Sequence, residues 1–343
     1  MTTAEQDSFE DRLRRSIEAY HESALVYAAV KLGLPDTLAA GSATSQQLAA
    51  ALGLSAPHLH RFLRGLCTIG ICEEGPGDTF ALAPGGHSLK PDSPSRLGKK
   101  VQIVVEQYWR PWAELVSCLK TGKPAFEQVF GLNVFDWREF NGEQGKLFES
   151  YLIGETFDQA GAIIEVLECA VEASKVADIG GGCGALLAPI LIAHPHLSGV
   201  LFEQPHIIEL AKPFLQTFGQ FGLVERIELV PGDLLAEILV TADLYLLNGV
   251  LRQWDDAHAR AILANCRKAM PEDARLAIIE RLLPERAADD PAAIMLDLHM
   301  MAITGGRARS LAEFEALLSE TGLTLAKVTR SSSGLSIIEA VKD

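Results

Sequence analysis

Acids and glycines near the middle of the chain offer the first chemistry. Residues 176–184 read VADIGGGCG: a short apolar run, then Asp178, then Gly180, Gly181, Gly182 and Gly184. The apolar-rich stretch 185–193 that follows reads as a helix. Strand, glycine turn and helix together open a nucleotide-type site in an α/β sheet, where ligands lie beyond the strand ends. Missing Cβ atoms admit left-handed backbone angles and let a ligand approach the main chain. Gly180, Gly182 and Ala185 also satisfy the loose G-x-G-x-x-G/A pattern of dinucleotide sites, so a nicotinamide cofactor stays open. Two features point instead to S-adenosylmethionine. Asp178, ahead of the glycines, can hold a cationic amino group. No Lys or Arg lies nearby to favour a pyrophosphate, although a helix N-terminus binds one without them.

Further acids fall where later strands end. Glu203, followed by Gln204, comes about twenty residues past the glycine turn, the place of an acid that accepts from ribose hydroxyls, although a surface acid capping the helix after Pro205 also fits. Asp233, in PGDLL, can accept from an adenine amine with Leu234 against the ring, although a plain turn acid fits the spacing as well. Asn248 and Gly249 follow the fourth strand, where an edge of cofactor or substrate would lie.

These tips need a parallel sheet to hold them. Short apolar runs at 199–202, 227–230, 244–247 and 276–279 alternate with helix-like segments at 207–217, 257–270 and 292–304. Such alternation means a mostly parallel, Rossmann-like sheet with helices on both faces. The runs 323–329 and 335–341 are close in sequence and predict an antiparallel edge. Upstream, residues 8–34 have helical spacing, ended by Gly33 and Pro35. Thr44 or Ser45 caps a helix to 51, Gly53 breaks it, and Ser55 starts another to 66. Residues 71–82, with a PGD turn, predict a two-stranded wing. Helix, turn, helix and wing make a winged-helix module. Residues 97–165 read as helical, interrupted at Gly122, Pro124 and GLNVF. The expected division is thus 1–96, a helical winged-helix dimerisation domain; 97–170, a helical linker and cavity-lining region; and 171–343, the α/β catalytic domain.

Composition narrows the partners. The 343 residues carry a net charge of −15, which argues against nucleic acid, whose binding relies on Lys and Arg neutralising phosphates. The second helix of the winged module has only Arg61 and Arg64 as firm charges, so a structural role fits better than DNA reading. Six scattered cysteines form no C-x-x-C pair and predict free thiols in a reducing compartment. The polar N-terminus lacks a signal-peptide core, and no apolar run reaches membrane-spanning length. A cytoplasmic protein without membrane contact is expected. His194 and His196, in HPH, resemble a metal pair but have no further ligand placed nearby, and no metal is expected.

The blocks LFEQPHII, ELVPGDLL, ADLYLLNGVLRQWDDAHARAILANCRKAM, IIERLLP, LDLHMMAITGGRARS and SGLSIIEA resemble those of the caffeate- and acetylserotonin-type O-methyltransferases, including the bacterial secondary-metabolite branch. The resemblance covers nearly the whole chain. It implies a class I S-adenosylmethionine fold with Gly180, Gly182, Glu203, Asp233 and Leu234 at the cofactor. It implies that Leu152 and Thr156, in FESYLIGET, contact the methionine part, and that Asn248 stands where a lysine near the adenine is common. It also implies an intertwined homodimer whose N-terminal helices reach over the partner's substrate cavity.

Departures from the family pattern bear on mechanism. The histidine that serves the family as general base is replaced by Arg252, in LRQW. The glutamate usual in the GG-x-E-R-T block is replaced by Ala308, while the other family acid is kept as Glu280. A guanidinium stays protonated and cannot act as a base. Arg252 can instead pair with a carboxylate or phenolate of the substrate, or form a salt bridge with Glu280 or Asp255. His299, on the helix that lines the family's cavity, is a candidate substitute base, although a lone histidine on an apolar helix face also fits plain packing. Tyr108, Trp109, Trp112, Tyr151, Met295 and Met300 are candidates for the pocket wall, although each alone also fits plain core. The resulting expectation is an S-adenosylmethionine-dependent methyltransferase of a small aromatic or polyketide-like metabolite, working by proximity and orientation. The alternative is a relative of the same fold that binds S-adenosylmethionine but catalyses hydroxylation, decarboxylation or rearrangement. A winged-helix regulator and a nicotinamide dehydrogenase are the remaining rivals.

Overall fold

A computed structural model describes residues 8–343. The chain divides into one compact unit ending at Arg110 and another from Pro111 to Asp343. The division falls inside the 97–170 segment, which is therefore shared between the units. The long helix Gly142–Ile164 belongs to the second, because Ala160 and Ile163 are buried in the core beside the sheet.

In the N-terminal unit, residues 8–34 form two helices, Phe9–Glu18 and Tyr20–Lys31, rather than one. Gly33 then turns left-handed at φ 67°. Pro35 does more than stop the preceding helix: it sits in the first turn of the next, Leu34–Ala39, where a missing N–H costs nothing. Thr44 and Gln47 close a capping box ahead of Ser45–Leu52, and Ala56–Thr68 follows. Strand β1 (Ala43–Thr44) pairs with β3 (Thr79–Leu82), which pairs with β2 (Cys72–Gly75) to make the wing. Leu48, Leu63, Leu66 and Phe80 form the centre of this core. The first helix buries none of its residues. Phe9, Leu13 and Ile17, with Tyr20 beyond, line one exposed apolar stripe at helical spacing.

The second unit is built on a seven-stranded sheet. Its strands are β4 (Lys175–Ile179), β5 (Ser198–Glu203), β6 (Ile227–Pro231), β7 (Leu244–Asn248), β8 (Arg275–Glu280), β9 (Leu323–Arg330) and β10 (Ser336–Lys342). Their order is β6-β5-β4-β7-β8-β10-β9. The first five are parallel, and β10 runs antiparallel to both β8 and β9. Strand order reverses between β4 and β7, so the glycine turn after β4 lies at the switch point where such sheets bind ligands.

Both faces are covered. One core joins Ile163, Leu187, Leu191, Ile208 and Leu215 from helices to Val176 and Leu201 of the sheet. The other joins Ile262, Leu263, Cys266, Phe314 and Leu318 to Ala177, Tyr245 and Ile278. Helix Leu311–Glu320 completes that second layer and was not anticipated from sequence, although Ser310 and Glu313 form a full capping box at its start. No helix among the described residues is long and apolar enough to cross a membrane. His194 ends helix Leu187–Ala193, and among the described residues no group of three or more side chains could hold a metal.

Candidate functional site

Asp178 is the penultimate residue of β4, paired with Leu201 on one side and Leu246 on the other. Alternation along the strand puts its side chain on the face of Val176, which is packed with the long helix Gly142–Ile164. The carboxylate is fully buried, and neither oxygen has a hydrogen-bond partner among the described residues. Burial, and then the charge of Glu203, push its pKa up to about 7. The following turn closes over it: a Cβ on Gly181 would lie 2.4 Å from the Asp178 carboxyl. Gly182, at φ 57°, aims its N–H at Glu203.

Glu203, at the end of β5, accepts from the N–H of Gly182 at 3.1 Å and from that of Gln204 at 2.7 Å. Burial raises its pKa against those two hydrogen bonds. Asp233, past the end of β6, is exposed and accepts from the N–H of Leu235 at 2.8 Å. Leu234 reaches back over the glycines. A Cβ on Gly180 would touch Leu234 Cδ2 at 3.4 Å and Val250 Cγ2 at 3.1 Å. Asn248 ends β7, half-buried. The parallel sheet therefore gathers the tips of β4, β5, β6 and β7 along one edge, each bearing a residue singled out in the sequence.

One acid at this edge escaped sequence analysis. Glu149, on helix Gly142–Ile164, stands seven residues before Thr156 and so shares its face. Its Oε2 accepts from the Cys183 thiol at 3.9 Å and would lie 3.6 Å from a Cβ on Gly182. Burial and then Glu203 raise its pKa to about 7, opposed by Arg138 and the Cys183 hydrogen bond. The signal was available in FESYLIGET, where an acid sits at helical spacing from Leu152 and Thr156.

A second group lies beyond β7 and β8. Arg252, in the turn Leu251–Gln253, donates from its backbone N–H to Glu280 Oε1 at 3.1 Å and from Nη1 to Oε2 at 3.2 Å. Glu280 is buried at the end of β8. Burial raises its pKa, and Arg252 opposes the rise. Asp255 is not the partner; it caps helix Asp256–Ala269 through the N–H of His258. The guanidinium lies over Gly249, where a Cβ would come within 2.9 Å of Cζ.

The Arg252 turn is clasped from behind. Arg309, fully buried, donates to the carbonyls of Leu251 at 2.8 Å and Trp254 at 2.9 Å, and to Asp256. A Cβ on Gly306 would strike the Arg252 carbonyl at 2.2 Å. Ala308 is buried, and its N–H donates to Asp297.

His299, on helix Pro291–Ile303, accepts at Nδ1 from the indole N–H of Trp112 at 3.1 Å. That bond leaves the ring proton on Nε2. Burial, then Arg138, then Arg252 push the imidazole down to about 4. Met295, one turn earlier, is exposed, whereas Met300 is buried. Tyr151 is half-buried on the same helix as Glu149. Tyr108 and Trp109 belong to the N-terminal unit; Tyr108 ends the π-helical turn Val104–Tyr108.

Comparison with known proteins gives this arrangement its family. Residues 112–324 match the O-methyltransferase domain, and residues 15–89 match the O-methyltransferase dimerisation domain. A phenazine O-methyltransferase of Lysobacter antibioticus is 34% identical over 329 residues, spanning 96% of this chain and 95% of the relative. The solved mitomycin 7-O-methyltransferase superposes with a TM-score of 0.90 at 31% identity, covering 97% of this chain and 98% of that one. An O-methyltransferase from neocarzinostatin biosynthesis was solved with S-adenosylmethionine and 2-hydroxy-5-methyl naphthoic acid. It superposes with a TM-score of 0.83 at 27% identity, covering 94% of this chain and 96% of that one. The chain belongs to the S-adenosylmethionine-dependent O-methyltransferase family, dimerisation domain included.

Proposed function

We propose that this protein methylates a small aromatic metabolite at an ionisable oxygen or nitrogen, and does so by holding the acceptor in place rather than by deprotonating it. The observation that carries the proposal is the state of the three catalytic candidates. Arg252 is a permanent cation bound to Glu280, Glu280 is buried under it, and the Nδ1 lone pair of His299 is occupied by Trp112. None of the three is set to take a proton at neutral pH. A positioned base is worth typically ~10²–10⁴ in rate. Orientation supplies roughly 7–11 kcal/mol, a larger share.

The residues at the glycine turn fit the family's cofactor. A buried carboxylate with two unpartnered oxygens needs a positive or hydrogen-bonding ligand to be tolerated. S-adenosylmethionine supplies an activated methyl group on a sulfonium, together with an ammonium. Asp178 and the main chain of Gly180 and Gly182 would hold the methionyl end, with Thr156 alongside. Glu203 and Gln204 would hold the ribose, and Asp233, Leu234 and Asn248 the adenine. The Arg252 guanidinium presents donors, which suits an acceptor bearing a phenolate or carboxylate. Trp112, Tyr151, Met295 and Met300 are assigned to its apolar body. The phenazine, mitomycin and naphthoic acid named for the relatives are aromatic or quinone-like frames of that kind. The stripe of Phe9, Leu13, Ile17 and Tyr20 is assigned to the homodimer contact.

The test is incubation with methyl-labelled S-adenosylmethionine and a panel of phenols, aromatic amines and thiols, each with and without a ring carboxylate. Label transfer favouring the carboxylated phenols or amines is expected. Substrate turnover without loss of the cofactor's methyl group would replace methyl transfer by the non-transferring chemistry of the same fold.

A further inference from the structure

Glu149 is the acid at the glycine turn for which the methyltransferase assignment so far has no use. Its Oε2 lies near Gly182 and beside the Cys183 thiol, while the neighbouring Gly181 covers Asp178. Glu203 flanks the same turn and is bonded to the Gly182 N–H. Three carboxylates thus surround one stretch of five residues. Among the described residues no cation bears on Asp178 or Glu203, and Arg138 is the cation that bears on Glu149; Arg138 also stacks on the Phe148 ring at 3.3 Å. Like charges gathered out of water disfavour one another's ionised form. A cationic ligand seated among them removes that conflict.

Given the methyltransferase assignment, we propose that Glu149 is a fourth cofactor-binding carboxylate, beside Asp178, Glu203 and Asp233, closing over the cationic methionyl end of S-adenosylmethionine at the glycine turn. The groups that face it are Glu203 from β5, Cys183 from the turn and Arg138 from helix Val134–Phe140, with Asp178 behind the glycines. Burial holds the Cys183 thiol up to about 12, so it stays protonated and acts as a donor to Glu149. With Glu149 and Asp178 both raised to about 7 in the free protein, a bound cation pulls both toward the ionised form. Binding then releases protons near neutral pH, and affinity rises with pH through that range.

The experiment is calorimetric titration of the full-length protein with S-adenosylmethionine and with S-adenosylhomocysteine at pH 6, 7 and 8. Each is run in two buffers of different ionisation enthalpy, so that proton release is read directly. For the wild type, affinity should rise by up to about tenfold per pH unit for each proton released. In Glu149→Gln, affinity at pH 8 should fall about ten- to a hundredfold and proton release should drop. Glu149→Asp should recover part of both. The melting temperature of free Glu149→Gln should not fall below that of the wild type, which separates a lost contact from a lost fold. If the wild type binds neither compound, the methyltransferase assignment itself fails. If the wild type binds and Glu149→Gln binds with the same affinity and proton release, the proposal is wrong. It is equally wrong if Glu149→Gln binds normally but loses the acidic limb of the pH–rate profile at saturating cofactor; the acid then serves the acceptor's proton.

Discussion

Asp178→Asn should make the cofactor-free protein more stable and the cofactor bind more weakly. Asparagine keeps the shape and removes the charge. In the folded chain the carboxyl is pushed up to about 7, against an ordinary value of 3.8. The folded state therefore holds a proton that the unfolded state has released between those two values, and stability falls as pH rises across that window. At about 1.4 kcal/mol per pH unit, the full penalty is at most about 4 kcal/mol, reached above pH 7 and absent below pH 4. For a unit of this size, about 2–4 °C of melting temperature accompanies each kcal/mol. Thermal scans from pH 4 to pH 8.5 without ligand should show the variant level with the wild type at the acid end and several degrees above it at the alkaline end. With S-adenosylmethionine at a hundredfold over the wild-type dissociation constant, the wild type gains about 2.7 kcal/mol and the variant much less, so the order narrows or reverses. An Asp178→Asn protein no more stable than wild type at pH 8.5 would refute the account of the buried carboxylate. So would one with unchanged cofactor affinity.

Three other outcomes follow from the acceptor side. Arg252→Met leaves Glu280 buried without its cation and should cost about 2–4 kcal/mol at pH 8, with the loss shrinking as Glu280 protonates at lower pH; acceptor KM should rise, read by steady-state kinetics. His299→Gln should keep the shape of the pH–rate profile between pH 5.5 and 8.5, because the imidazole, pushed down to about 4, does not titrate there; a vanished inflection would restore His299 as the base. Arg309→Lys loses the fork that binds the Leu251 and Trp254 carbonyls and should cost about 2–4 kcal/mol in denaturant unfolding, with kcat falling as the Arg252 turn loosens.

The sheet was readable because its strands are apolar runs punctuated by Gly and Pro, and because Asp178, Glu203, Asp233 and Asn248 fall at or just past their ends. Helix boundaries read less well. The single helix expected over residues 8–34 divides at Ala19, where no proline or glycine marks the break. Helix Leu311–Glu320 carries an explicit cap at Ser310 yet lies between stretches read for other reasons. What the sequence could not supply is pairing over distance. Trp112 and His299 are 187 positions apart, and their bond decides which imidazole nitrogen keeps its proton. Arg309 reads as an ordinary basic residue until burial puts its guanidinium against the main chain of residues 251–254. Glu149 reads as one more helical acid until the fold brings it to the glycine turn.

Gly306 leaves no room between the segment after helix Pro291–Ile303 and the main chain of residues 252–254, and Arg309 bolts the two together. The helix bearing Met295 and His299 is thereby tied to the turn bearing Arg252. Insertions or slack in either would therefore disturb the other.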